Sequence, residues 1–322
     1  MTHTDIANQY IQNVLDGQVL ACEYVKQACQ RQQDDLSNSD LNYIFNKNAA
    51  ERVCRFIELL THTKGKWAGS LIKLEPWQVF ILTTVFGWVD QQGNRRFKSV
   101  YTEVPRKNAK STLSSGVALY TLGFDEEGGA EVYSAATTRD QARIVFQDAK
   151  KMVERSSGLK SRGFKTSAHA VYQESSASTF KALSRDQGGN LDGLNVHCAI
   201  VDELHAHKTR DVWDVLETGT GARTQPLLWA ITTAGFNRAG ICYEQRAYTI
   251  KILNGSIEDE EYFGVIYTID EDDDWTDELI WQKANPNWGV SVNPDDIKRK
   301  ARKAMEMAAA QNNFLTKHLN VW

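Results

Sequence analysis

The chain has 322 residues, 42% of them hydrophobic and 24% charged, and a formal net charge of -4 with a pI near 6.0. These values fit an ordinary globular protein with room for one large domain or two smaller ones, and they exclude binding of nucleic acid through overall charge, so any such binding needs local basic patches. Five scattered cysteines without a C-x-x-C pair, a polar start at Thr2-His3-Thr4-Asp5 and the lack of an apolar run of roughly 18 to 20 residues predict a reduced, intracellular protein, neither exported nor membrane-embedded.

Residues 5–60 read as helical, because Ile6, Tyr10, Ile11, Val14 and Leu15, and later Val53, Phe56, Ile57 and Leu60, recur at spacings of three and four. Gly65 and Gly69, with Lys64 and Lys66 beside them, break that pattern. Pro76 suits the first turn of a new helix carrying Phe80, Ile81 and Leu82. From about residue 97, strand-like runs at 99–104, 131–135, 179–183, 196–201 and 227–232 alternate with helical stretches at 111–122, 139–153 and 212–218. That alternation predicts an α/β fold with a parallel sheet flanked by helices. Past Gly255 come an acidic stretch at 270–274, a loop at Asn285-Pro286-Asn287 and a basic helix holding Lys298, Arg299, Lys300, Arg302 and Lys303. The expected divisions are a helical N-terminal region over 1–70, an α/β core over 71–255 and a small linker subdomain over 256–322.

Val104-Pro105-Arg106-Lys107-Asn108-Ala109-Lys110-Ser111-Thr112 follows a strand and precedes a helix, where a phosphate-binding loop belongs. In the pattern G-x-x-x-x-G-K-[ST], backbone N–H groups cradle phosphates, the lysine reaches the outer phosphates and the hydroxyl ligates Mg2+. Lys110 and Ser111 fill the last two places. Val104 and Ala109 stand where the glycines belong, and Arg106 and Lys107 add cationic charge. The plain alternative for this segment alone is an exposed basic turn opening a helix.

Cys198-Ala199-Ile200-Val201-Asp202-Glu203 is an apolar run ending in two carboxylates, as expected of a buried strand whose end reaches a nucleotide. Asp202 would hold Mg2+, mainly through water, and Glu203 would polarise the attacking water. An isolated Asp-Glu is more often a solvated acidic turn, but the phosphate loop within the same α/β pattern favours the nucleotide reading. The run 227–231 ends in Thr232-Thr233-Ala234-Gly235, hydroxyl and small residues placed to sense the outermost phosphate. Gln78 is a candidate for paired hydrogen bonds to an adenine edge, with Trp77 as a core residue and Gln78 as a surface residue the alternative. Arg139, at a strand-to-helix junction, is a candidate arginine finger acting on a neighbouring subunit, or else a solvated helix-start arginine. Zinc binding by His197, Cys198, His205 and His207 is disfavoured, because His197 and Cys198 should point to opposite faces of one strand. Asp272, Asp273 and Asp274 read as a solvated loop rather than a metal cage.

Leu74-Glu75-Pro76-Trp77-Gln78, the loop Pro105-Arg106-Lys107-Asn108-Ala109-Lys110-Ser111, Ala136-Thr137-Thr138-Arg139-Asp140-Gln141-Ala142, Val201-Asp202-Glu203 and Thr232-Thr233-Ala234-Gly235 together resemble the large terminase subunit of tailed bacteriophages and prophages. The resemblance covers nearly the whole chain, and Ala109 departs from the family's usual glycine. It implies a P-loop NTPase of the ASCE/RecA-like kind that uses ATP and Mg2+ to drive double-stranded DNA into a capsid through the portal protein. A small terminase subunit is the implied partner, in a homo-oligomeric ring, a pentamer, assembled on the capsid in the cytoplasm of the bacterial host. Carried over by position, Gln78 reads adenine; Arg106, Lys107, Asn108, Ala109, Lys110, Ser111 and Thr112 cradle the phosphates. Ser111 and Asp202 hold the metal, Glu203 the water, and Thr232 and Thr233 couple hydrolysis to motion, with Arg139 or Arg106 as the arginine finger. The family carries an RNase H-like nuclease domain after the ATPase; the ending Asn320-Val321-Trp322 reads as the close of the linker, so nuclease activity is not expected of this chain. Two rivals stand beside this reading: a D-E-x-H helicase, spelled by Asp202-Glu203-Leu204-His205, and a non-catalytic DNA- or capsid-binding module using the basic helix at 298–303.

Overall fold

The computed structural model describes residues 1–137, 139–184 and 193–322, with side chains left out at 139, 140 and 184. Helices α1 (His3–Leu15), α2 (Glu23–Ser37) and α3 (Lys47–Glu58) form the N-terminal layer, followed by α4 (Pro76–Gly87). The α1 start is fixed by a reciprocal cap between Thr2 and Asp5, and the α4 start by Pro76 in the first turn with Glu75 and Gln78 capping each other. A two-residue ladder pairs β1 (Ile44–Phe45) with β2 (Trp88–Val89).

The main sheet contains β3 (Ser99–Glu103), β4 (Glu131–Ala136), β5 (Phe164–Thr166), β6 (Ala170–Gln173), β7 (Ser178–Ser184), β8 (Val196–Asp202), β9 (Leu227–Thr232) and β10 (Tyr262–Ile266). Their order is β10-β3-β9-β8-β4-β7-β6-β5, parallel from β10 to β7 and antiparallel through β6 and β5. The parallel block is the expected one; the antiparallel pair at the edge departs from it. Its strands are short, three and four residues, and their spacing resembles a turn-rich surface stretch more than a strand signal.

Every residue of β8 and β9 is buried, the mark of strands covered on both faces. Alternation then sorts them. Cys198 and Ile200, with Trp229 and Ile231, face a core shared with α1 to α4, α5 (Lys110–Gly123) and α6 (Arg139–Arg155). Ala199 and Val201, with Leu228 and Ala230, face the other layer, where α7 (Ser157–Ser161) takes no part but α8 (Asp211–Thr218) and α9 (Ile241–Leu253) supply Trp213, Leu216, Ile241 and Cys242. A third cluster joins α10 (Glu278–Ala284), α11 (Pro294–Glu306) and α12 (Ala308–His318) around Trp281 and Phe314.

The expected break at residue 255 does not coincide with a break in the sheet. β10 lies beyond it and pairs with β3 over its full length, Tyr262 opposite Ser99 through Ile266 opposite Glu103. Likewise the helices before residue 70 share one core with the sheet.

Between β3 and α5 the chain turns through two left-handed residues, Lys107 (φ 75°) and Ala109 (φ 57°). An L-residue there costs about 1–2 kcal/mol, and glycine relieves that strain at an unfolded-state entropy cost of about 0.4–1 kcal/mol. Ala109→Gly is therefore expected to leave stability unchanged or raise it by up to ~1.6 kcal/mol, whereas the β-branched Ala109→Val should lower it by about 2 kcal/mol. Urea unfolding checks both, and a large loss on Ala109→Gly would contradict the left-handed turn.

Candidate active site

In the order β3-β9-β8, three parallel strands end side by side. Glu103 lies opposite Thr232, and Asp202 opposite Ile231, so the phosphate loop leaves the sheet one strand away from the acidic pair, with the Thr232-Thr233 exit between them. A cleft of about 620 Å3 opens there, lined by Arg106, Lys110, Ser111, Asp202, Glu203 and His205, with Lys64 and Lys66 on the far wall. Its volume lies within the range of ordinary ligand sites. A cavity of about 730 Å3 between α1, the start of α4 and residues 282–288 is larger but lacks a phosphate loop or paired carboxylates, so the chemistry selects the smaller one.

Lys110 is buried at the first position of α5. Its Nζ donates to the carbonyls of Val104 (3.1 Å) and Pro105 (3.2 Å) and stands 3.8 Å from Glu203 Oε1. Ser111 Oγ donates to Asp202 Oδ2 at 3.2 Å, while Asp202 Oδ1 is buried without a hydrogen-bond partner among the described residues. Arg106 and Lys107 are exposed, and Ala109, Ser111 and Thr112 are half-buried on the cleft wall. Asn108 is different: its side chain is fully buried, with Nδ2 on Pro105 O (3.2 Å) and Asn285 Oδ1 (3.0 Å) and Oδ1 accepting from the Asn287 N–H (3.0 Å). It ties the loop to residues 285–287 and leaves only its main chain for a ligand.

Glu203 follows β8 in a left-handed conformation (φ 53°), which turns its side chain out of the strand's path. Its Oε2 accepts from Thr233 Oγ1 at 2.9 Å and lies 3.1 Å from His205 Nδ1. Thr232 Oγ1 receives the His205 main-chain N–H (3.1 Å), sits 3.2 Å from Nδ1 and donates to Thr233 O (3.0 Å). Burial, with the Glu203 charge added, raises the Asp202 carboxyl to about 6. Glu203 moves the other way: burial opposes ionisation, but the Lys110 charge and the His205 hydrogen bond outweigh it and hold the carboxyl low. Burial also lowers Lys110, with Glu203 and then Asp202 restoring part of its charge. The cation and the local donors thus keep Glu203 ionised, and the repulsion falls on Asp202.

Gln78 is buried at the start of α4, its Oε1 accepting the Glu75 N–H at 3.0 Å. It lines a second cleft of about 170 Å3, which shares Ala109 and Thr112 with the main one. Trp77 is a core residue whose Nε1 donates to Asn287 Oδ1 at 2.6 Å. Arg139 opens α6, but its side chain, like all of Thr138, lies outside the described residues.

Three of the four residues weighed for zinc are engaged with different partners. His197 Nε2 meets Asp125 at 3.0 Å, Cys198 points into the helix-covered core, and His205 meets Glu203. In the acidic loop, Asp273 is paired with Lys283 (2.7 Å) and Asp274 with the Thr276 hydroxyl (2.7 Å). Two residues of the site were not anticipated. His205 had a signal, since it completes Asp202-Glu203-Leu204-His205. Lys317 had none: it reaches the cleft from α12, with Nζ 3.0 Å from His205 Nε2 and 3.1 Å from Ala234 O.

Comparison with known proteins bears on these parts together. The family description "Terminase large subunit, ATPase domain" matches residues 76–251, and "Terminase large subunit, endonuclease domain" matches residues 256–322. The second match falls on the stretch expected to be a linker, so the expectation that this chain lacks nuclease activity is not confirmed. Protein YmfN of Escherichia coli (strain K12) is 50% identical over 140 residues, 44% of this chain and 31% of that protein. The terminase large subunit of Enterobacteria phage HK97 is 29% identical over 275 residues, 84% of this chain and 52% of that one. The crystal structure of the HK97 bacteriophage large terminase matches with a TM-score of 0.73 at 27% identity, over 84% of this chain and 55% of that chain. The chain spans about half, or less, of the length of these relatives. The ATPase-domain match covers more than half of the chain and encloses Gln78, the phosphate loop, the acidic pair and Thr232-Thr233, and on that ground the chain belongs to the terminase large subunit family.

Proposed function

We propose that this chain is an ATP-hydrolysing motor that drives double-stranded DNA into a capsid, within a homo-oligomeric ring and with a portal protein and a small terminase subunit as partners, in the cytoplasm of a bacterial host. The observation that carries the reading is the buried Asp202 Oδ1, without a hydrogen-bond partner among the described residues, beside the Ser111 hydroxyl and next to Lys110 and Glu203 on one cleft wall. Two oxygen donors, one with a free buried lone pair, are a fit for a hard divalent cation such as Mg2+. Ser111 and Asp202 would hold it, and bound there it would neutralise phosphate charge.

The remaining roles fall to the chain's own groups. Lys110, now satisfied by two carbonyls, has three donors to share with phosphate oxygens, and the main-chain N–H groups opening α5 point the same way. Glu203, held ionised by Lys110 and oriented by Thr233 and His205, is placed to accept a hydrogen bond from the attacking water and align it. Thr232 and Thr233, buried between the two strand ends, feel any shift of Glu203 through their hydroxyls. Gln78, whose Oε1 takes the Glu75 N–H, offers its amide to the base from the adjoining smaller cleft, while Arg106 at the rim, or Arg139 from a neighbour, supplies the arginine finger.

Glu203→Gln is expected to keep ATP binding and to lose turnover by about 10²–10⁴-fold, read by titration calorimetry and phosphate release. Unchanged turnover in this variant would end the motor reading. A second expectation concerns acidity. A carboxyl raised in the folded state takes up its proton on folding, so its contribution to stability falls as pH rises from 3.8 through about 6. Without Mg2+ or nucleotide, Asp202→Asn should be more stable than wild type at pH 8 by on the order of 1 kcal/mol, with the difference vanishing toward pH 4. Urea unfolding across that range checks it; a difference that grows toward low pH contradicts the assignment.

A further inference from the structure

We infer that Lys317 is a positioning residue for Glu203, acting through the tautomer of His205. This rests on the reading of Glu203 as the carboxylate that aligns water. An ammonium has three donors and no acceptor, so His205 Nε2, at 3.0 Å from Lys317 Nζ, must present its lone pair. The imidazole proton then sits on Nδ1, which faces Glu203 Oε2 at 3.1 Å and Thr232 Oγ1 at 3.2 Å. With the proton on Nε2 instead, two donors would meet at Lys317 and two acceptors at Glu203.

Lys317 is itself tied down. It is buried, its Nζ also donates to Ala234 O at 3.1 Å, and its main-chain carbonyl accepts the Arg106 N–H at 3.1 Å. One residue of α12 thereby touches the phosphate loop, the β9 exit and the histidine behind the acidic pair. It lies outside the ATPase-domain match at 76–251. Its effect on hydrolysis is indirect: it fixes which imidazole nitrogen donates, and that donor holds the Glu203 carboxylate facing the cleft.

The test uses the full chain. Lys317→Met is expected to lower kcat for ATP about ten- to a hundredfold with KM within about twofold, and Lys317→Arg to restore most of the loss, since only a cationic donor is needed. Nitrogen NMR of 15N-histidine-labelled wild type, with His205 assigned through His205→Gln, should show the Nδ1–H tautomer, moving toward Nε2–H in Lys317→Met. An Nε2–H tautomer in wild type, or wild-type kcat in a folded Lys317→Met, overturns the inference. Because the tautomer is read in wild type, the inference stays testable even where Lys317→Met does not fold. Normal turnover in Glu203→Gln defeats the underlying motor reading; lost turnover in Glu203→Gln with full turnover in Lys317→Met defeats the positioning role alone.

Discussion

Lys110 and Glu203 stand 3.8 Å apart at the mouth of the sheet, the lysine buried and the glutamate half-buried. Neither charge is comfortable there alone, since burial works against both, and each is kept ionised largely by the other. The two come from helix and strand ends more than ninety positions apart, so their meeting depends on the register that sets Glu103 opposite Thr232 and Asp202 opposite Ile231. A slip of one residue in the β8–β9 ladder would turn every β8 side chain to the opposite face and carry Asp202 away from Ser111. The full burial of β8 and β9 guards against that slip, because every side chain on both faces has its own packing partners.

A second buried acid holds this end of the sheet to the residues beyond 255. Glu103, fully buried at the last position of β3, accepts from Tyr101 and Arg246 and also from Asn320 Nδ2 (3.0 Å) and Trp322 Nε1 (3.1 Å). Asn320 Oδ1 in turn takes the Ala234 N–H at 2.6 Å. A buried carboxylate with several donors is costly to strip of any one of them. The strand that delivers the phosphate loop and the strand that delivers Thr232-Thr233 are therefore clamped by the last residues of the chain, and with β10 alongside β3 the site is a joint product of the two stretches that the family descriptions separate.

This explains what could be read in advance. Asp202-Glu203 was legible at the end of an apolar run and Lys110-Ser111 in a loop between a strand and a helix, because position relative to a strand is a local property. The apolar runs at 198–201 and 227–231, set between helical stretches, pointed to buried parallel strands for the same reason. The partners of these residues were not legible. Lys317 and Asn320 lie in helical or irregular sequence whose pattern reports burial and says nothing of which cleft it closes. β10 escaped because the acidic and basic runs after residue 255 dominate the local texture, although Tyr262 to Ile266 is itself apolar. Asn108 was read as a phosphate contact from its place in the loop, and only the fold brings Asn285 and Asn287 to its side chain.

The same long-range contacts account for the loop's unusual composition. A phosphate loop commonly relies on glycine to reach left-handed conformations without strain, yet here Lys107 and Ala109 occupy them. The strain is held from outside. Asn108 is locked to residues 285 and 287, Ser291 Oγ donates to Lys107 O, and the Arg106 N–H bonds to Lys317 O. Three consecutive loop residues are thus bonded to the segment after residue 255, and this over-determination is what allows ordinary side chains in a backbone path that would otherwise demand glycine. It also means that the side chains of Arg106 and Lys107 add charge at the cleft rim that glycines could not supply. The loop exchanges intrinsic flexibility for external bracing, supplied by residues 285–291 and by Lys317 of α12, which also reaches the acidic pair through His205.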